Sequence, residues 1–198
     1  MGIELIYTEG QTPLGEEEKD GLLIGTITTK GELDEFEQLN IQKAVEWSLG
    51  KRLKAEQIFT ESFLLQLHKR MYGDVWAWAG KFRKTDKNIG VSYYKVGPEL
   101  RNLLDDVKYW VENGTYKPDE IAIRFKHRIV AIHCFPNGNG RHSRLVADII
   151  IEKIFREAVY SWGSSALLKD DDLRKSYIQS LKSADRGDIG PLITFARS

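Results

Sequence analysis

Residues His133–Arg144 read HCFPNGNGRHSR and interrupt a chain in which apolar residues otherwise recur at helical spacing. Gly138 and Gly140 lie just before a segment that resumes this spacing. A glycine-bearing turn that leads into a helix presents backbone N–H groups with no partner inside the helix. Glycine also permits the backbone conformations that curl such groups around an anion. The stretch therefore predicts a phosphate site at the N-terminus of a helix.

Two arginines follow the turn, Arg141 and Arg144. Positive charge is disfavoured at this end of a helix by the helix dipole, and residues three apart lie on the same face. An anion bound beside them would explain the arrangement, because a guanidinium fits phosphate oxygens in a fork. The alternative is that two solvated arginines stand beside an ordinary turn.

His133 ends the apolar run before the turn. A neutral imidazole near pH 7 can accept the proton of a hydroxyl nucleophile. The alternative is a buried histidine that bonds to a backbone carbonyl. The neighbouring Phe135 is interpreted as a core anchor, Cys134 as a small packed residue and His142 as a structural or surface residue.

Helical spacing on both sides of this stretch predicts an all-α fold. The helical segments begin near Glu32, after an N-cap at Thr60, near Glu99, at Pro118, after the glycine turn and near Asp171. The helix that follows the turn is apolar on most sides, so we expect it to be central and buried.

The segment Trp76–Gly97 departs from this pattern. It is aromatic and basic, contains three glycines and includes the β-friendly stretch VSYY. A connection of this length in a helical domain is usually functional or disordered, and its aromatic residues argue against disorder. We expect an ordered loop with a short hairpin near Ile89–Lys95.

Composition narrows the function classes. The chain has 198 residues, which suits one domain. Lys and Arg together number 29, as do Asp and Glu, and no helix carries a basic stripe, so nucleic acid is not an expected partner. A single cysteine excludes an internal disulfide. The N-terminus lacks the apolar core of a signal peptide, and no stretch approaches the roughly 18 apolar residues of a membrane span. These features predict a cytoplasmic protein that does not bind membranes.

The residues His133-x-Phe135-x-x-Gly138-Asn139-Gly140-Arg141-x-x-Arg144 resemble the signature of the Fic/Doc family. Trp78–Arg83, WAGKFR, is similar to a second family segment, and SYIQSLKSADRGDIGPLITF resembles the closing helices. The chain is most similar to the bacterial group called mobile mystery protein B. The resemblance implies a Fic fold of about six to eight helices with a short β-hairpin flap. It divides the chain into an N-terminal extension, residues 1–31, with a regulatory role, and a Fic domain, residues 32–198.

By resemblance, the protein is a protein adenylyltransferase that moves AMP from ATP to a Ser, Thr or Tyr hydroxyl of a target protein, with Mg²⁺. His133 would be the general base. Gly138, Asn139 and Gly140 would line the nest for the α- and β-phosphates, Arg141 would hold the β- and γ-phosphates, and Arg144 would reach the γ-phosphate. The target would bind at the flap near Ile89–Lys95, and a small regulatory partner protein would accompany the enzyme.

One position departs from the family pattern. Asn137 stands where relatives carry the Asp or Glu that binds Mg²⁺, and its amide oxygen would be a metal ligand without charge. Three alternatives therefore stay open: a slow adenylyltransferase, a Doc-like protein kinase, and a non-catalytic nucleotide-binding interaction module. The Gly138–Gly140 triplet favours AMP transfer.

The acidic head of the chain allows a regulatory hypothesis. Fic proteins are commonly blocked by a helix whose glutamate pairs with the second arginine of the signature. Thr12–Glu16 carries the threonine and glutamate of that pattern, but Pro13 and Glu17 depart from it. Glu16, Glu17 or Glu18 would then reach Arg144; the alternative is a solvated acidic head.

Overall fold

The computed structural model describes residues 13–164 and 170–198. Seven of the helices in these residues have eight residues or more, in agreement with the predicted number, and the all-α prediction is confirmed. The helices are α1 (Glu16–Lys19), α2 (Lys30–Leu49), α3 (Ala55–Ile58), α4 (Glu61–Tyr72), α5 (Val96–Asn113), α6 (Pro118–Ile132), α7 (Asn139–Lys153), α8 (Asp170–Asp185) and α9 (Gly190–Arg197). Within the same residues, no helix is both long and apolar enough to cross a membrane.

Local capping explains where the helices begin. The Thr60 side chain accepts a hydrogen bond from the Phe63 N–H at 3.2 Å, which confirms the predicted N-cap of α4. Thr29 and Glu32 form a reciprocal capping box, so α2 begins at Lys30. Pro118 occupies the first turn of α6, where its missing N–H costs no hydrogen bond.

Helix α7 lies at the centre of the core. It packs against α6 and α4, and its apolar side chains, among them Val146, Ile150 and Ile151, are fully buried. This confirms the prediction of a central helix after the glycine turn. The position of α7 fixes both arginines of the stretch, because the first two turns of this helix contain Arg141 and Arg144.

The described part of the N-terminal extension packs on the domain. Leu14 and Ile27 are buried, and the Trp78 indole donates a hydrogen bond to the Glu18 carbonyl at 3.0 Å. Helix α2 begins close to the predicted boundary between residues 31 and 32. The division into two regions stays a prediction, and residues 1–12 lie outside the described residues.

The segment Ile89–Lys95 differs in detail from the predicted hairpin. Within the described residues it has no strand pairing and ends in a 3-10 turn, Tyr93–Lys95. The physical reason is that its backbone groups already have other partners. The Val91 N–H lies 3.4 Å from the Ile132 carbonyl, and the Val91 carbonyl accepts a hydrogen bond from Arg83.

Candidate active site

The glycine turn connects two helix ends in an unusual backbone geometry. His133 caps α6 with φ 60° and ψ 63°, and Gly138 caps α7 with φ 77°. Both residues are in the left-handed region, which glycine adopts freely and histidine adopts rarely. A side chain at Gly138 would also collide with the Tyr72 ring, since an added Cβ would lie 2.6 Å from it. The turn therefore requires glycine at this position.

Side chains within the turn hold its shape. The Asn139 amide oxygen accepts the Phe135 N–H at 2.9 Å, and its nitrogen donates to the Phe135 carbonyl at 2.8 Å. The Asn137 amide oxygen accepts the Gly138 N–H at 2.6 Å. The buried Asn139 side chain thus fixes the backbone of the turn, which makes its main chain the part suited to contact an anion.

His133 is almost completely buried, with 4% of its surface exposed. Burial lowers the pKa of His133 to about 4, and the nearby Arg83 and Lys87 charges act in the same direction. The imidazole is therefore neutral at pH 7. Its Nδ1 lies 3.4 Å from the Val130 carbonyl, and a proton on Nδ1 makes Nε2 the basic nitrogen of the neutral ring.

The two arginines have different surroundings. Arg141 forms an ion pair with Glu37 at 2.7 Å and lies over the Tyr72 ring at 5.1 Å. Arg144 lies over the Tyr177 ring of α8 at 5.7 Å. Both guanidinium groups therefore rest on aromatic rings, a contact that guanidinium makes favourably.

Glu37 was not identified from the sequence. It lies on the buried face of α2 with 6% of its surface exposed, and the Trp76 indole donates to its other oxygen at 2.7 Å. The available signal was a carboxylate at a position where the spacing from Leu33 to Ala44 calls for an apolar residue. A buried carboxylate of this kind requires a partner.

His68 was also missed. Its Nδ1 accepts the Gly80 N–H at 3.0 Å, so its Nε2–H donates to the Asn137 carbonyl at 3.1 Å. Burial keeps the pKa of His68 well below its usual value, and its ring stacks on Phe135 at 3.7 Å. His68 thus fixes the turn from the side of α4. The signal was a histidine on the apolar face of that helix.

Cys134 is packed in the core as predicted, and His142 is buried, which selects the structural over the surface alternative. Burial raises the pKa of the Cys134 thiol to about 12, which excludes a reactive thiolate at neutral pH. Burial lowers the pKa of His142 to about 4, and its Nε2 lies 3.1 Å from the Leu64 carbonyl.

One cavity of about 830 Å³ brings the predicted site residues together. Its volume is within the range of small-molecule sites, and its wall includes Ile89 and Gly90 of the aromatic loop and Tyr177 of α8. The predicted residues that line it are His133, Asn137, Gly138, Asn139, Gly140, Arg141 and Arg144. Within the described part of the chain, no group of three or more His, Cys, Asp or Glu side chains could hold a metal ion by itself.

Two carboxylates of the acidic head, those of Glu16 and Glu18, pair with lysine side chains. Glu16 pairs with Lys19 at 2.7 Å, and Glu18 pairs with Lys87 and accepts the Gly15 N–H. The structure therefore places these two carboxylates against lysines and places Glu37 against Arg141. Thr12 of the proposed regulatory pattern lies outside the described residues.

Comparisons with known proteins agree on one family. The model of the Fic/DOC family matches residues 58–151. The protein adenylyltransferase Fic of Drosophila grimshawi is 29% identical over 137 residues, which cover 67% of this chain and 26% of that protein. The corresponding protein of Aedes aegypti is 25% identical over 169 residues, which cover 82% of this chain and 32% of that protein. The chain thus spans only about a quarter to a third of these relatives.

Solved structures show the same fold. Fic-1 of C. elegans, residues 134–508, has a TM-score of 0.69 at 23% identity over 90% of this chain and 51% of its own. The BepC protein of Bartonella tribocorum, solved with bound AMPPNP, has a TM-score of 0.67 at 16% identity over 92% of this chain and 97% of its own.

Proposed function

Because this chain carries a Fic/DOC family domain, we propose that it is a protein adenylyltransferase, which transfers AMP from ATP to a Ser, Thr or Tyr hydroxyl of a target protein. The name protein adenylyltransferase of the related proteins supports this activity. The observation that carries the proposal is that one cavity places a neutral His133 beside the N-terminus of α7 and two arginines.

His133 acts on the target hydroxyl. Its neutral imidazole accepts the hydroxyl proton as the oxygen attacks the α-phosphorus of ATP. An oxygen–phosphorus bond forms to the target, the bond from the α-phosphorus to the bridging oxygen breaks, and pyrophosphate leaves. The proton on His133 is then released to water. The imidazole is already in the neutral form that this step needs at pH 7.

The turn and the arginines bind the phosphates. The first backbone N–H groups of α7 and the helix dipole favour an anion at Gly138–Gly140. Arg141 and Arg144 neutralise the charge that builds up on the leaving pyrophosphate, and such positioning and charge neutralisation supply most of the rate in phosphoryl-type transfer.

The site fits Mg²⁺ with a single, uncharged protein ligand. Asn137 lines the cavity, and its amide oxygen, which accepts the Gly138 N–H, is the type of oxygen atom that Mg²⁺ takes as a ligand. Mg²⁺ takes few protein ligands when phosphate oxygens and waters complete its shell. Bound there, it would supply charge neutralisation, while Asn137 would contribute orientation without charge.

Two further functions are supported by specific residues. A nucleotide-binding module without turnover is favoured by the uncharged Asn137 and by Glu37, which occupies Arg141. A Doc-like protein kinase, in which the nucleotide binds reversed and the γ-phosphate moves, is favoured by Asn137 alone. The Gly138–Gly140 triplet favours AMP transfer over this kinase reaction.

The target chain would dock on the aromatic loop at Ile89–Lys95. Ile89 and Tyr93 are about half exposed and Tyr94 is 66% exposed, so this edge offers apolar contact area beside the cavity. A small regulatory partner, a bacterial host and a cytoplasmic location are part of the same proposal, and the single cysteine of the chain fits a reducing compartment.

Incubation of the purified chain with ATP labelled at the α- or the γ-phosphate tests this proposal, with self-labelling as the readout. Label from α-labelled ATP should fall by roughly 10²- to 10⁴-fold in His133→Ala, while ATP binding and the unfolding temperature show that the variant is folded. Label from γ-labelled ATP alone would establish a kinase. ATP binding without label from either position would establish a binding module.

A further inference from the structure

Arg83 lies where the aromatic loop meets the end of α6, and its side chain has no exposed surface. Its Nε donates to the His133 carbonyl at 2.6 Å, and one terminal nitrogen donates to the Thr85 carbonyl at 2.8 Å. The other terminal nitrogen donates to the Val91 carbonyl and lies 3.5 Å from the Ile132 carbonyl. The Arg83 guanidinium therefore links Thr85 and Val91 of the loop to the last carbonyls of α6.

The acceptors explain why arginine is suited to this position. The last carbonyls of a helix have no partner within it, and a positive charge at that end is favoured by the helix dipole. The nearest carboxylate is that of Asp86, at 3.6 Å and largely exposed. Only a planar group with five donors can bond to carbonyls on several sides at once, so the contact depends on the shape of the guanidinium as well as on its charge.

Arg83 donates hydrogen bonds to two successive carbonyls that begin at His133. The His133 carbonyl accepts the Arg83 Nε–H, and the next carbonyl, that of Cys134, accepts the Arg83 backbone N–H at 3.0 Å. A histidine with φ 60° persists only where its surroundings maintain this conformation, which costs on the order of 1 kcal/mol. These two hydrogen bonds maintain it.

The aromatic loop also packs directly on His133. Gly90 has φ +100°, and a Cβ added there would lie 2.5 Å from the His133 Cβ and 3.2 Å from the Arg83 Nη2. Asp86, which lies beside Arg83, accepts the Tyr93 N–H at 2.7 Å. We call residues 85–93 the flap segment; it wraps around the guanidinium and touches His133.

We propose that Arg83 is a positioning residue that couples the flap segment to His133, so that the proposed target-docking surface and the proton acceptor form one rigid unit. The proposal rests on the proposed function, because it concerns delivery of the target hydroxyl to His133. Errors of about 1 Å in such a geometry can cost a hundredfold in rate. A buried guanidinium with several hydrogen bonds, as at Arg83, would keep the geometry within this limit.

Arg83→Lys tests the coupling, since it keeps the charge and removes the fork. We expect the self-labelling rate at saturating ATP to fall by about tenfold or more, with the half-saturating ATP concentration unchanged, because Arg83 touches neither the glycine turn at Gly138 nor the signature arginines. The matched control is Arg197→Lys, which alters a guanidinium bound to Asp119 and the Ala158 carbonyl, away from the cavity. It should leave the rate unchanged.

A second readout does not depend on activity. Amide hydrogen exchange in the chain without ATP should be faster for Val91 in Arg83→Lys than in the wild type and in Arg197→Lys, and the imidazole ¹⁵N signals of His133 should shift. Asp86→Ala removes an exposed carboxylate that accepts the Tyr93 N–H within the flap segment. It should also speed exchange at Val91 and shift the His133 signals, with an unchanged unfolding temperature. It provides the test should Arg83→Lys fail to fold.

The outcomes separate the two proposals. Wild-type exchange at Val91 and an unshifted His133 signal in Arg83→Lys, or in Asp86→Ala if Arg83→Lys is unfolded, would overturn the coupling whatever the activity. A wild-type chain that binds ATP without labelling would overturn AMP transfer, while the exchange data would still decide the coupling. An equal loss of rate in Arg83→Lys and Arg197→Lys would reduce Arg83 to a structural role and overturn the proposal.

Discussion

Some side chains in and around the turn fix its backbone conformation, while others are available to contact a ligand. Asn139 belongs to the stretch for which phosphate binding is proposed, yet its side chain hydrogen-bonds to the backbone N–H and carbonyl of Phe135. His68, outside the signature, fixes the Asn137 carbonyl. The groups proposed to act on ATP and the target hydroxyl are backbone N–H groups, two guanidinium groups and one imidazole, beside the Asn137 amide proposed for Mg²⁺.

Asn137 is the residue at which substitution should raise activity. Asn137→Asp retains an oxygen that accepts the Gly138 N–H and adds a negative charge for Mg²⁺. We expect Mg²⁺-dependent labelling from α-labelled ATP to increase, by up to about tenfold for one added charged ligand. Asn137→Ala is the control for loss of the amide. Equal labelling by Asn137→Asp and the wild type over a Mg²⁺ titration would show that this position does not bind the metal.

At the scale of elements, α2 does more than cover the core. Its buried face presents Glu37 to Arg141 in the first turn of α7, and the Trp76 indole holds the same carboxylate. A bound triphosphate must therefore compete with Glu37 for Arg141. The ion pair between Glu37 of α2 and Arg141 of α7 therefore influences how strongly the site binds an anion.

Glu37→Gln should relieve this competition. The amide keeps an acceptor for the Trp76 N–H and loses the charge that pairs with Arg141. We expect tighter ATP binding, by roughly 5- to 30-fold, as for a coupling free energy of about 1–2 kcal/mol, measured by calorimetric titration.

Glu46→Gln is the matched control for Glu37→Gln, since it changes the same charge on the exposed side of the same helix. Its ATP affinity should equal that of the wild type. Weaker ATP binding in a folded Glu37→Gln variant would show that Glu37 supports the site instead of opposing it.

At the scale of the whole molecule, the core encloses three neutral histidines. Burial lowers the pKa of His68, His133 and His142, the last two to about 4. In the unfolded chain these side chains titrate near pH 6.5. The unfolded state therefore binds more protons than the folded state between about pH 4 and 6.5.

Stability should consequently fall as the pH is lowered from 6.5 towards 4, because a state that binds more protons gains free energy on acidification. The loss should amount to several kcal/mol at pH 4. Asp148 opposes it in part, since burial raises its pKa to about 6 and the folded state binds its proton first. Urea unfolding at pH 7.5, 6.5, 5.5 and 4.5 measures the effect. Equal free energies of unfolding at pH 6.5 and 4.5 would contradict it.

The sequence by itself determined the longer helices, the buried position of α7 and the signature residues between His133 and Arg144 that line one cavity. These features follow from local rules: apolar spacing, an N-cap at Thr60 and a glycine turn before Arg141. Only the tertiary structure decided that Glu37 pairs with Arg141, and that Arg83 bonds to His133, 50 positions away in the chain. It also decided that the flap segment pairs with Arg83 and α6 instead of with itself. Such partners are chosen by packing, because a buried charge or carbonyl takes whichever group the fold brings within hydrogen-bonding distance.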